Sequence, residues 1–198
     1  MNKVLIAAVL AAPLTVAAQV ENYVIDPYHT VPYFDIDHLG FATMRGRFDR
    51  ATGKFSIDRA AKSASIELEF PTATVNSGDT DKGQRPRTRD EHLKNADFFN
   101  VQEFPSIAFK STRVVFKGED PVSVEGNMTM LGVTKPVTLH IDRWKCGPDI
   151  RTQGKRYQCG GNASGSFKRS DFGMKFGLPT AIGDEVKLWM SFYGFRQQ

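Results

Sequence analysis

The stretch Thr88–Thr112 has the sequence TRDEHLKNADFFNVQEFPSIAFKST and carries a helix signal in a chain otherwise dominated by strand signals. Thr88 and Glu91 are spaced as a capping box, in which each side chain accepts a hydrogen bond from a backbone N–H group that the first turn leaves free. The pattern predicts a helix over Arg89–Phe99, and Asn100 suits the left-handed conformation in which many helices end. Because so short a helix is marginal in water, it needs a surface to lie on, and its default role is to plug a β-fold.

A strand follows this helix. Pro105 restarts the chain, and Ser106–Phe116 is rich in β-branched and aromatic residues. The apolar positions of this strand change parity near Ser111-Thr112, which predicts a β-bulge. The surface beneath the helix is therefore predicted to be a sheet.

Short strands separated by turn residues make up most of the remaining chain. Apolar and polar residues alternate with a period of two most regularly in Ala64–Phe70. The predicted strands are Tyr23–Ile25, Thr30–Asp37, Thr43–Arg50, Lys54–Asp58, Ala64–Phe70, Ser106–Phe116, Val122–Met130, Val137–Ile141, Asn162–Lys168 and Val186–Phe192. Regular short strands of this kind predict an antiparallel sandwich or barrel, and a closed barrel would also remove the exposed sheet edges.

Large apolar side chains occupy both faces of some strands. The chain has 15 Phe and 6 Met residues, and Trp189 and Tyr193 lie opposite Leu188 and Met190 on one predicted strand. Soft, bulky side chains on two faces suit a barrel with an apolar lumen and a covered exterior. A solid core combined with a dimer interface explains the composition equally well, and both alternatives stay open at this point.

The first 18 residues have the pattern of a secretory signal peptide. Lys3 precedes the apolar run Val4–Ala12, and Val16-Ala17-Ala18 forms a small-residue cleavage site. We therefore expect residues 1–18 to be removed and residues 19–198 to form one exported periplasmic domain. The formal net charge of the whole chain is only +4, which does not indicate a nucleic-acid partner.

The chain has two cysteines, Cys146 and Cys159. In an oxidising compartment the default is a disulfide between them. Closing a loop of this length would contribute about 3 kcal/mol in the chain-entropy model. The neighbouring glycines and Pro148 suit a hairpin or a long loop.

Motifs for catalysis and metal binding are missing from the sequence. The four histidines, His29, His38, His92 and His140, show no zinc spacing. No serine or cysteine nucleophile signature is present, and the aspartates have no spacing that indicates acid–base catalysis. We therefore predict a protein that is not an enzyme and needs no cofactor or metal.

A basic loop leads into the predicted helix. Arg85, Arg87 and Arg89 lie beside the Thr88 cap, and cations next to the positive end of a helix form a candidate site for an anionic headgroup or an anionic membrane surface. A solvated surface loop is the simpler alternative.

An ordered series of short motifs resembles the YceI-like family of exported bacterial proteins, over roughly Tyr23–Phe195. The motifs are Asp26…His29, His38-Leu39-Gly40, Gly46-x-Phe48, Asp90-x-His92-Leu93, Asp97-Phe98-Phe99, Phe104-Pro105-x-Ile107-x-Phe109, Gly132–Val137, Arg169-x-Asp171-Phe172-Gly173 and Gly183-Asp184-x-Val186. The paired cysteines resemble the disulfide-bearing periplasmic branch of this family. The resemblance implies a lipocalin-like antiparallel β-barrel of about eight strands, usually a homodimer. It also implies that the lumen holds a polyisoprenoid, such as an isoprenoid quinone, or a similar long-chain lipid without catalysis.

Eight apolar residues are predicted to contact that lipid. They form the lumen wall or lie near a mouth, and they are Phe98, Phe99, Phe109, Met128, Met130, Phe172, Met174 and Leu188.

The main alternative to a lipid-binding protein is a structural or stress-response partner protein with a solid barrel. A hydrolase or isomerase acting on an apolar substrate is the third hypothesis, and a His–Asp pair at a pocket mouth would favour it.

Overall fold

The computed structural model describes residues 20–197, and the predicted signal peptide lies outside this range. Eleven strands and one α-helix, α1 (Arg89–Leu93), occupy the described chain. The strands are β1 (Glu21–Ile25), β2 (Val31–His38), β3 (Ala42–Phe48), β4 (Thr52–Asp58), β5 (Ser63–Pro71), β6 (Val75–Asn76), β7 (Ser106–Lys117), β8 (Asp120–Met130), β9 (Val133–Pro148), β10 (Tyr157–Lys168) and β11 (Ile182–Arg196). Within the described range, no helix is long and apolar enough to cross a membrane.

Eight strands close into an antiparallel barrel in the order β1-β4-β5-β7-β8-β9-β10-β11, and pairing between β1 and β11 completes the ring. At one end the strand β2 continues alongside β11 where β1 stops, and β3 and β6 extend the sheet beside it. We refer to this end as the upper end. The predicted lipocalin-like barrel of about eight strands is confirmed.

Local signals in the sequence explain the strand geometry. On β8 the side chains of Val124, Met128 and Met130 are buried inside the barrel, because alternate residues of a strand point to the same face. The predicted bulge in β7 is confirmed, since the register with β8 shifts between Ser111 and Arg113.

The segment between β5 and β7 crosses the upper end, and it contains the short helix. The capping box is present, with Thr88 accepting from the Glu91 N–H group and Glu91 accepting from the Thr88 N–H group. The predicted helix Arg89–Phe99 was too long, because α1 ends at Leu93. Beyond it the Asn95 side chain accepts a hydrogen bond from the Asp97 N–H group, which competes with helical hydrogen bonding.

A disulfide ties two strands together towards the lower end. Cys146 on β9 and Cys159 on β10 are directly opposite each other and are bonded, as predicted. The Arg59 guanidinium lies 3.0 Å from the Cys146 sulfur. Beneath them the rings of Tyr23 and Phe55 stack with centroids 4.5 Å apart. The Trp144 ring packs against the rings of Phe55 and Phe192, with centroids 6.1 and 6.0 Å away. These aromatic side chains fill the lower barrel, and the upper barrel is left to house a site.

Candidate binding cavity

An apolar cavity of about 440 Å³ occupies the upper half of the barrel. This volume lies within the range of roughly 300–1,000 Å³ that is typical of small-molecule sites. A smaller void of about 50 Å³ lies deeper, and Leu68, Phe109 and Ala163 line both spaces. The barrel is therefore not packed solid, in contrast to the solid-core alternative.

Most of the predicted lipid-contacting residues line this cavity. The seven that do so are Phe98, Phe99, Phe109, Met128, Met130, Met174 and Leu188. Phe172 does not line it. The Phe172 ring is 1% exposed and packs edge-on against Phe167, which is itself a wall residue, so Phe172 supports the wall from behind.

A cluster of phenylalanines closes the side of the cavity where β2 and β3 extend above β1. The Phe99 ring centroid lies 5.3 Å from that of Phe48 and 6.3 Å from that of Phe34. Gly46 makes room for the Phe34 ring, since a Cβ atom there would lie 2.8 Å from two of its ring carbons. Phe34 and Phe48 were not among the residues predicted to contact the lipid. The available signal was the run Tyr33-Phe34, which places large aromatic side chains on both faces of one predicted strand.

Polar side chains gather at the upper mouth of the cavity. Ser77, Arg89 and His92 line it from the crossing segment, beside Phe98 and Phe176. His92 Nε2 lies 2.8 Å from an Asp97 carboxylate oxygen. The His92 ring makes edge contacts with the Phe98 and Phe176 rings, with centroids 4.9 and 5.0 Å away. The imidazole is thus held in one orientation at the mouth.

The three arginines that were predicted as one site have different environments. Arg85 donates two hydrogen bonds to the Asp79 carboxylate, at 2.9 and 2.8 Å, and these bonds lower the pKa of Asp79 to about 2. Arg87 is 3.4 Å from Asp97. Within residues 20–197 the Arg89 guanidinium makes no hydrogen bond or ion pair, and it faces the cavity. Arg89 is therefore the arginine of this group that is available to a ligand.

A buried arginine holds the loop between β10 and β11. Arg169 is 1% exposed and donates to the backbone carbonyls of Met174, Ile182 and Gly183 at 3.1, 2.9 and 2.7 Å. Burial lowers the pKa of Arg169. Arg169 also forms part of the cavity wall. The loop that it holds carries Met174 and Phe176 to the mouth, so Arg169 shapes the mouth indirectly.

The described residues contain no group of three or more His, Cys, Asp or Glu that could hold a metal ion. Residues 20–197 contain two His–Asp pairs, and one of the two is at the cavity. His29 Nδ1 lies 2.6 Å from the Asp26 carboxylate, and neither residue lines the cavity. The His92–Asp97 pair is the one at the mouth.

Comparison with known proteins adds sequence and structural relatives. A family model described as the YceI-like domain matches residues 23–193. A UPF0312 protein of Pseudomonas aeruginosa (strain LESB58) is 36% identical over 201 residues, and one of Shewanella denitrificans is 35% identical over 202 residues. Both alignments cover the whole of each chain.

Two solved structures share the fold. Burkholderia cenocepacia BcnA has a TM-score of 0.65 and 18% identity, over 85% of this chain and 98% of that chain. A polyisoprenoid binding domain from Saccharophagus degradans, implicated in plant cell wall breakdown, has a TM-score of 0.62 and 16% identity, over 88% and 98% of the two chains.

Proposed function

This chain belongs to the YceI-like family, and we propose that it binds a long-chain polyisoprenoid or similar lipid, such as an isoprenoid quinone, for transport or storage. The observation that carries the proposal is the apolar, phenylalanine-rich cavity inside the upper barrel. The polyisoprenoid binding domain from Saccharophagus degradans supports the same ligand class. In this proposal the protein acts by binding, without catalysing a reaction.

The energetics of such a site favour a long chain. Each methylene removed from water contributes about 0.8 kcal/mol. Ordering and immobilising the ligand costs at least ~4 kcal/mol. Because the gain grows with the number of buried carbons while much of the cost is paid once, affinity should rise steeply with chain length until the cavity is full.

The mouth residues are suited to the polar head of the lipid. The Arg89 guanidinium is a hydrogen-bond donor, and the Ser77 hydroxyl, which donates to the Asp90 carboxylate at 2.6 Å, can accept a hydrogen bond from a headgroup. A headgroup with exposed oxygens, such as a quinone or a phosphate, could accept from Arg89 while its tail lies among Phe99, Met128 and Leu188. In this proposal Arg85 and Arg87 order the loop around Arg89 through their pairs with Asp79 and Asp97.

We further propose that the protein works in the periplasm as a homodimer that contacts anionic membrane surfaces transiently and binds no nucleic acid. The Cys146–Cys159 disulfide supports an oxidising compartment. The predicted signal peptide, residues 1–18, supports export. Mass spectrometry of the mature chain and sedimentation velocity test the cleavage and the dimer directly.

The binding proposal is tested with a ladder of prenyl alcohols and quinones of increasing length. We expect affinity to increase over several isoprene units, and native mass spectrometry of gently purified protein should find one long-chain lipid per chain. Affinity that is independent of length, together with no co-purified lipid, would favour the partner-protein alternative.

A matched pair of variants tests the location. The Ala163 side chain faces the cavity, so Ala163→Phe should weaken binding by filling it. Ser164 is the next residue of β10 and points to the outer face, so Ser164→Phe adds the same bulk without entering the cavity. Equal affinities of the two variants for the longest prenyl ligand would contradict a lumen site.

Hydrolysis or isomerisation of an apolar substrate is the second candidate function, and the His92–Asp97 pair at the mouth favours it. A carboxylate that orients a histidine is a common arrangement in acid–base catalysis. Incubation of prenyl esters with the protein, followed by chromatography, tests this candidate. Turnover by the wild type that His92→Gln abolishes would establish it, and unchanged esters would rule it out for that substrate class.

A further inference from the structure

The turn between β2 and β3 presents large apolar side chains to solvent. Phe41 is 92% exposed and Leu39 is 51% exposed. Leu39 has a φ of 58° and Gly40 a φ of 70°. The left-handed conformation is unfavourable for a residue with a Cβ atom, so Leu39 is an unusual choice here. Isolated exposed apolar residues are common, but two at one fixed turn need an explanation.

This turn is rigidly held. The Phe41 N–H group donates to the His38 carbonyl at 3.1 Å, and the Gly40 N–H group donates to the Asp37 carboxylate at 2.9 Å. The Leu39 N–H group donates to the Ala181 carbonyl at 3.0 Å. Because the backbone is already ordered, burying these side chains against a partner would cost little additional conformational entropy.

The turn also adjoins the mouth of the cavity. His38 precedes it, Ala181 is bonded to it, and both residues line the cavity. The Ala181 N–H group donates to the Gly177 carbonyl at 2.8 Å, which connects the turn to the loop that carries Phe176. Phe176 is 44% exposed. We call Leu39, Phe41 and Phe176 the apolar rim, and it is continuous with the apolar interior.

We infer that the apolar rim inserts into the surface of a lipid bilayer, so that the cavity opens directly into the acyl-chain region. The inference rests on the proposed function, since a lipid ligand must pass between a membrane and the cavity. A long prenyl chain that crossed water on this route would expose its apolar methylenes to solvent, which is unfavourable, and insertion of the rim removes that exposure.

The choice of lipid separates hydrophobic insertion of the rim from electrostatic attraction. Arg45 is paired in two hydrogen bonds with Asp35 at 2.6 Å, and Arg85 is paired with Asp79. The Asp37 carboxylate accepts from the turn backbone. Among the described residues, Arg89 at the mouth and Lys175 beside Phe176 have no ion pair, so anionic lipids should add attraction. A zwitterionic bilayer has no net charge, so binding to it should depend on the apolar rim and should be insensitive to salt.

Co-sedimentation with phosphatidylcholine vesicles tests the inference on the mature wild-type chain and two variants. Phe41→Ser should weaken vesicle binding by roughly tenfold or more, because it removes one inserted aromatic side chain. The control is Ile150→Ser, since Ile150 is 88% exposed at the lower end of the barrel. Ile150→Ser should bind vesicles like the wild type, and raising the salt to 1 M should leave wild-type binding unchanged.

Equal vesicle binding by both variants and the wild type would overturn the inference, and so would loss of binding in high salt. It would also fail if Phe41→Ser only dissociated a dimer, since the rim would then be a contact between copies.

Affinity for a fluorescent long-chain prenyl analogue, measured without vesicles, separates the proposed lipid binding from the proposed membrane insertion. Phe41 does not line the cavity, so Phe41→Ser should retain that affinity. If the wild type does not bind the analogue at all, the proposed function fails, while Phe41-dependent vesicle binding would still support the docking surface.

Discussion

Replacing the buried Arg169 with methionine should destabilise the loop that forms part of the cavity mouth. In the wild type the guanidinium donates to the carbonyls of Met174, Ile182 and Gly183. Asp184 accepts from Ser170, and its carboxylate is not hydrogen-bonded to Arg169. Methionine fills a similar volume but donates to none of the three carbonyls.

The size of the effect follows from these contacts. A hydrogen bond from a charged donor contributes about 1.5–3 kcal/mol, so three of them contribute roughly 5–9 kcal/mol. The substitution also removes a buried charge, whose desolvation costs several kcal/mol. We therefore expect Arg169→Met to lower the free energy of unfolding by about 2–5 kcal/mol.

Urea denaturation followed by circular dichroism measures this loss, and hydrogen exchange of residues 174–183 locates it. Arg45→Met is the matched control, because Arg45 is 67% exposed in a surface ion pair and its replacement should leave the urea midpoint nearly unchanged. If Arg169→Met unfolds at the same urea concentration as the wild type, the three carbonyl bonds do not stabilise the loop and the reasoning is refuted.

Three further predictions concern the barrel and the crossing segment. In urea denaturation, Gly126→Ala should lower the free energy of unfolding by about 1–3 kcal/mol, because the new Cβ atom would lie 2.7 Å from a β7 carbonyl oxygen. The control is Gly147→Ala, which should be neutral because a Cβ atom at residue 147 would have no neighbouring atom within 4 Å. Replacing both Cys146 and Cys159 with serine should cost about 3 kcal/mol of stability, with prenyl affinity unchanged. The pKa of Asp79 is lower in the folded chain, at about 2, so its ion pair should stabilise the chain above about pH 4. That stabilisation should disappear as the pH falls towards 2, and melting curves of Asp79→Asn should lack this part of the pH dependence.

Short-range patterns in the sequence determined much of the fold. The capping box at Thr88, the left-handed Asn100 with its φ of 43° and the bulge after Ser111 depend on neighbouring residues, so they could be predicted without tertiary information. The alternation of apolar residues likewise determined which side chains of β8 point inwards. The length of the helix was not predictable from the capping signal alone, since Asn95 intervenes through its own side-chain hydrogen bond.

Only the tertiary structure decided where the chain is hollow and which cations are available at the mouth. The number of phenylalanines follows from the sequence, but the presence of a cavity depends on how far facing side chains reach across the barrel. Phe172, which was predicted to contact the lipid, lies behind the wall. The three arginines are equivalent in the sequence. Folding brings Asp79 to Arg85 and Asp97 to Arg87 and leaves Arg89 facing the cavity, because ion pairing depends on distances of a few ångströms that sequence spacing does not specify.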